Sequence, residues 1–143
     1  MKLRTIEWQV PNSEELEYCA GVLEWQGNVS AIKHKTSPYM RLCMKSPYKD
    51  RLVAFQRACG GLGRISGPFA PTGHSVQAQY HLEFRGQELA LIENMVGPRI
   101  RTRRRAMFND ARDHLRALRR QLNLKGSVYK IPGFRGGTTL RAA

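Results

Sequence analysis

The stretch Tyr18-Cys19-Ala20-Gly21-Val22-Leu23-Glu24-Trp25-Gln26-Gly27-Asn28-Val29 decides how the chain reads. It continues a helix whose start is marked upstream. Pro11 separates the helix from what precedes it, Asn12 is a good N-cap, and Glu15 completes a capping box. Glu14 and Glu17 suit the positive end of the helix dipole. Leu16, Cys19, Ala20 and Leu23 recur at helical spacing, and Gly27 closes the run. Ala20-Gly21 puts two small residues in mid-helix. A glycine there costs roughly 1 kcal/mol relative to alanine, and the compensation expected is the close approach of another backbone.

Outward from this helix, residues 2–10, within an N-terminal arm at 1–11, read as a short strand or extended arm with Ile6, Trp8 and Val10 on one side. Residues 28–36 and 39–45 read as a hairpin around Ser37-Pro38, with Val29, Ala31, Met40, Leu42 and Met44 inward. A second helix is expected over about 47–59, with Leu52, Val53 and Phe55 inside and Gly60-Gly61 as its stop. Leu62 to Ser66 form a short third strand, and 67–73 are turn-rich. The clearest alternation lies at 75–85. Val76, Ala78, Tyr80, Leu82 and Phe84 share one face, with Gln77, Gln79, His81, Glu83 and Arg85 on the other. A third helix over about 87–96 ends at Gly97-Pro98. A long amphipathic helix follows at about 101–124, with Met107, Ala111, Leu115, Leu118 and Leu122 as its stripe. The order α-β-β-α-β-β-α, plus a further helix, predicts an α+β fold with a largely antiparallel sheet carrying helices on one face. The domain is expected over 12–124, followed by a basic, Gly-containing extended tail at 125–143.

The 143 residues carry 24 Lys+Arg against 11 Asp+Glu, a formal net charge of +13. At 41% hydrophobic and 24% charged, the composition is that of a globular chain and not a disordered one. No stretch approaches the roughly 18–20 apolar residues of a membrane span, and the N-terminus lacks the apolar core of a signal peptide. Cys19, Cys43 and Cys59 are odd in number and lack paired spacing, which indicates neither a disulfide framework nor a zinc site. His34, His74, His81 and His114 show no metal-ligand spacing with each other or with the cysteines. An intracellular, reduced setting is expected.

The charge falls in blocks. Residues 28–85 carry nine basic residues against Asp50 and Glu83, and residues 99–143 carry thirteen against Asp110 and Asp113. Glutamates dominate between and before them. Such an excess points to a polyanion, with nucleic acid the default. On the fourth strand, Gln77 and Gln79 could pair with adenine and Arg85 with a guanine edge. Lys33, His34, Lys35, Arg41, Lys45 and Arg64 add charge to that surface. An ordinary solvated sheet face accounts for the same alternation on these grounds alone.

Residues 18–29 resemble a degenerate signature of the LAGLIDADG homing endonucleases. Ala20 and Gly21 match its small pair, Val22 and Leu23 its apolar positions, Glu24 its first acidic position and Gly27 its closing glycine. The order of elements matches from residue 13 to about 108, including the basic run Arg99-Ile100-Arg101-Thr102-Arg103-Arg104-Arg105 that opens the next helix. The resemblance implies a saddle-shaped antiparallel sheet in the DNA major groove, touching DNA through Ser30, Lys33, His34, Lys35, Arg41, Arg64, Gln77, Gln79, His81, Arg85, Arg101, Arg104 and Arg105. One motif implies a homodimer on a long, roughly palindromic duplex, joined through Cys19, Ala20, Gly21 and Leu23. The family delivers one carboxylate per motif helix to a divalent metal, usually Mg²⁺, for phosphodiester hydrolysis. Here that position is Gln26, a neutral and weaker ligand, so the resemblance implies binding more securely than cutting. Lys45 and Arg103 fall near positions that assist catalysis in the family. A non-enzymatic DNA-binding regulator and an RNA-binding (maturase-like or ribosomal) protein are the alternatives on the same scaffold.

Overall fold

A computed structural model describes residues 4–71, 73, 76–122 and 138–142. The order is β1 (Arg4–Trp8), α1 (Ser13–Leu23), β2 (Asn28–Ile32), β3 (Tyr39–Ser46), α2 (Lys49–Ala58), β4 (Arg64–Phe69), β5 (Gln79–Arg85), α3 (Gly86–Met95), α4 (Met107–Gln121) and β6 (Thr138–Ala142). Two 3-10 turns, Gly97–Arg99 and Arg103–Ala106, connect α3 to α4. The α-β-β-α-β-β-α core order is the expected one.

The capping box at α1 is complete. The Asn12 side chain accepts from the Glu15 N–H at 2.9 Å, and the Glu15 carboxylate accepts from the Asn12 N–H at 3.0 Å. These bonds satisfy two donors that the first turn leaves without helical partners.

Strands β2, β3, β5 and β4 lie side by side in that order as one antiparallel sheet. Alternation along β3 and β5 sorts their side chains. Met40, Leu42 and Met44 with Leu82 and Phe84 are buried on one face, where α2, α3 and α4 pack. Leu23, Leu52, Phe55, Leu89, Ile92, Phe108 and Leu115 complete the core. Phe55 and Phe84 meet edge to face with ring centroids 5.9 Å apart.

Several boundaries differ from expectation. The fourth strand begins at Gln79 and not at 75, leaving Ala78 exposed and Val76 93% exposed. Its pairing with β4 already shifts register between Ser66 and Phe69, so no partner extends to carry the alternation further. The long helix begins as the 3-10 turn Arg103–Ala106 and becomes α-helical at Met107; Phe108 is buried, while Leu122 is 39% exposed. Most of the expected tail at 125–143 lies outside the described residues. Thr138–Ala142, however, pairs in parallel with β1, so this part is a strand beside the N-terminal arm.

Gly60 fixes the junction between that arm and the end of α2. Its φ is +91°, and an added Cβ would be driven into the Gln9 carbonyl oxygen. The Gln9 N–H donates to the Gly60 carbonyl at 3.0 Å across the same contact. Gly60→Ala is expected to cost about 3 kcal/mol through left-handed strain and backbone overlap. A urea unfolding midpoint would read this loss, and an unchanged midpoint would contradict it.

Candidate nucleic-acid interface

The sheet face turned away from the core gathers most of the strand residues expected to contact DNA. Register places Ser30 opposite Arg41, Arg41 opposite Arg85, and Lys45 opposite His81. On the far side, Arg64 stands opposite Glu83 and Ser66 opposite His81. The face therefore presents Arg41, Lys45, Arg64 and Arg85 around Glu83, and Glu88 of α3 lines the same concavity as Arg64 and Arg85.

Glu83 organises two of these cations. Its Oε1 accepts from Arg41 Nη1 at 3.2 Å and its Oε2 from Arg85 Nη2 at 2.9 Å. The Arg85 guanidinium also stacks 4.5 Å from the Tyr39 ring centroid. Arg41 Nε is buried with no hydrogen-bond partner among the described residues. A buried donor of this kind costs free energy until an acceptor reaches it. His81 packs on Phe69, ring centroids 4.4 Å apart. Desolvation first, then the nearby Lys45 charge, lowers the His81 pKa, which favours the neutral imidazole.

Other expected contact residues sit elsewhere. Lys33, His34 and Lys35 are exposed in the hairpin loop, where His34 Nδ1 lies 3.3 Å from the Thr36 hydroxyl. Gln79 is half-buried on β5, whereas Gln77 is exposed in the loop before it.

Within the basic run after α3, Arg104 is held inside the domain. Arg104 Nε donates to the Leu23 carbonyl at 2.8 Å, and its Nη2 donates to the Gly27 carbonyl. Leu23 is the last residue of α1, where helix carbonyls lack helical partners and a cation is favoured, and Gly27 lies in the turn that follows. Arg104 is thus a clamp on α1 and not a free phosphate contact. The Arg101 N–H donates to Glu24 Oε1 at 2.7 Å, and Arg99 pairs with Glu17 at 2.8 Å. The Arg101 side chain, 84% exposed, remains on the surface, as do Arg103 and Arg105. Sequence spacing missed the clamp because its acceptors lie 77 and 81 residues upstream. Arg104→Met is expected to lower stability by about 2 kcal/mol, the scale of lost charge-assisted bonds. Thermal unfolding would show it, and an unchanged Tm would refute the clamp.

Cys19, Ala20 and Leu23, expected at a contact between two copies, are buried in the domain's own core. Burial pushes the Cys19 thiol up to about 12 and raises that of Cys59. Gly21 does reach the surface, and an added Cβ there would meet nothing within 4 Å. Tyr18, 46% exposed, and Trp25, 84% exposed, flank it at helical spacing. With Glu17, Val22, Gln26, Met44, Arg51 and Leu52 they line a cleft of about 570 Å³.

Gln26 is exposed one turn beyond the end of α1, its N–H still bonded to the Val22 carbonyl at 2.8 Å. No hydrogen bond joins it to Lys45 or Arg103 among the described residues; Lys45 stands across from His81 instead. Glu24 is engaged with the Arg101 backbone. The residue at the expected ligand position is a neutral amide, a poorer ligand than a carboxylate for Mg²⁺, a hard cation that prefers carboxylate oxygens.

No protein-family model and no curated protein sequence matches the chain. Among solved structures it is similar to the LAGLIDADG meganuclease I-CpaMI bound to uncleaved DNA, with a TM-score of 0.55 and 13% identity. That match covers 78% of this chain and 40% of the meganuclease chain, so the chain spans less than half its neighbour's length. The group I intron-encoded homing endonuclease I-CeuI complexed with DNA is a weaker likeness, at TM-score 0.42 and 19% identity, covering 80% of this chain and 64% of that one; nothing rests on it. No described helix is long and apolar enough to cross a membrane. The four-stranded antiparallel sheet, its helices and the I-CpaMI likeness together give this chain a LAGLIDADG homing-endonuclease-like fold.

Proposed function

We propose that the chain binds duplex DNA site-specifically through the outward face of β2–β5, as a homodimer, with cleavage disabled at Gln26. One observation carries the reading most: an antiparallel sheet gathers Arg41, Lys45, Arg64 and Arg85 on its outward face. A sheet of this kind fits the major groove. Guanidinium groups held in place read base edges there, while the other cations neutralise phosphates. The fold is that of a meganuclease whose structure holds DNA.

Selection from a random duplex library, with affinity measured across salt, tests the reading. An enriched sequence bound with a steep salt dependence supports it. Structured RNA outcompeting every duplex at physiological salt would overturn it in favour of an RNA partner.

Gly21 supports the self-association part of this reading. The glycine carries its helix penalty, yet among the described residues no atom lies within 4 Å of the space it leaves. A second α1 laid along Tyr18, Gly21 and Trp25 would use that space. Gly21→Ala is therefore expected to stabilise the isolated domain by about 0.5–1 kcal/mol while weakening self-association. Sedimentation and urea unfolding read the two effects separately. A strict monomer on its target DNA would sink the homodimer.

A further inference from the structure

We propose that Cys43, His81 and Glu83 form a site for one borderline-soft divalent cation, of which Zn²⁺ is the type, on the outward face of the sheet. The thiol, an imidazole nitrogen and a carboxylate oxygen all lie within 4.8 Å of one another. Sequence spacing hides the cluster, because the ligands come from two paired strands: Cys43 stands opposite Glu83, and His81 lies two residues along β5.

Each ligand is held by its surroundings. Cys43 sits on β3, between β2 and β5 in the sheet. His81 is supported by Phe69. Glu83 is oriented by Arg41 and Arg85, one at each oxygen. A carboxylate offers about four lone-pair positions, so it can accept a metal bond while both arginines stay. Such outer contacts orient ligands and tune metal affinity.

The chemistry selects the ion. The surrounding Arg41, Lys45, Arg64 and Arg85 oppose any free dication. A metal that displaces the Cys43 proton to solvent brings a thiolate with it, and Zn²⁺ with one thiolate and one carboxylate is net neutral. Mg²⁺ does not deprotonate a thiol in this way and prefers all-oxygen ligands. Three protein ligands leave the fourth tetrahedral position open to water.

Metal binding would also cancel the carboxylate charge at the centre of the basic face. On the reading that this face binds DNA, the cation and duplex then bind cooperatively, each raising the other's affinity by the same factor.

Co²⁺ is the probe. Titrating the folded, reduced protein is expected to give a 1:1 thiolate-to-cobalt charge-transfer band with release of one proton, and Zn²⁺ should bleach it. Cys43→Ser should abolish the band. His81→Gln should weaken binding at least about tenfold. Both side chains lie outside the core, and far-ultraviolet circular dichroism checks that the variants fold. Cys19 and Cys59 are both 0% exposed and should not contribute. No band, or a band that survives Cys43→Ser, overturns the site. Duplex affinity with and without Zn²⁺ is read separately: a salt slope steeper by about one unit supports the coupling. A Cys43-dependent band with DNA affinity unchanged overturns the coupling and leaves the site standing.

Discussion

Replacing Arg41 and Arg85 together by alanine is expected to abolish preference for the selected duplex while the domain stays folded. A guanidinium in a bidentate base contact is worth about 1–3 kcal/mol of discrimination. Losing two should lower affinity for the preferred site by roughly two to four powers of ten. Binding to unrelated duplex falls much less, because Lys45 and Arg64 still face the phosphates. Glu83→Gln tests the same arrangement from the other side. It keeps both arginines but removes the carboxylate that holds them at 3.2 and 2.9 Å. Random-sequence duplex should then bind more tightly, since one negative charge has left the face, and discrimination should drop. Anisotropy titrations with preferred and scrambled duplexes measure both quantities. If the double alanine variant discriminates as well as the parent, the sheet is not the reader.

Gln26→Glu carries the second large expectation. It is nearly isosteric, exposed, and restores one carboxylate per α1 at the position that holds a metal ligand in the family the motif resembles. Cleavage of the preferred duplex should appear only in the variant, and only with Mg²⁺ or Mn²⁺. The gain should be on the order of 10³-fold or more, since a bound metal contributes several kcal/mol to phosphodiester hydrolysis. Without metal, the added charge lies near phosphate, and duplex affinity should fall. A plasmid carrying the selected site, assayed for both chains, measures this directly. Cutting by neither chain, with tight binding by both, would remove the disabled-nuclease reading and leave a DNA-binding protein on this scaffold.

Local features were legible from sequence, and long-range ones were not. Asn12 and Glu15 are three residues apart, so the capping box could be read and is present. The inward sets Met40, Leu42, Met44 and Leu82, Phe84 followed from alternation alone, because one face of the sheet is packed. Val76 continues that alternation in sequence but lies before β5 begins, and pattern alone does not reveal where pairing stops. Arg104 looked like one of a run of phosphate contacts; only the fold brings its guanidinium to the Leu23 and Gly27 carbonyls. The same holds for Cys43 and His81, 38 residues apart in sequence yet neighbours across β3 and β5. Cys19, Ala20 and Leu23 share apolar character with a contact surface, and helical phase alone does not say which core they enter.

The most direct test of the central claim compares two sets of substitutions in binding to the selected duplex. One set replaces Arg41, Lys45, Arg64 and Arg85 on the sheet. The other replaces Arg116 and Arg120, exposed on α4. The sheet set should lose sequence-specific binding and flatten the salt dependence, while the α4 set changes specific affinity less than about threefold. Undiminished specific binding by the sheet set, or its loss with the α4 set alone, would contradict the account.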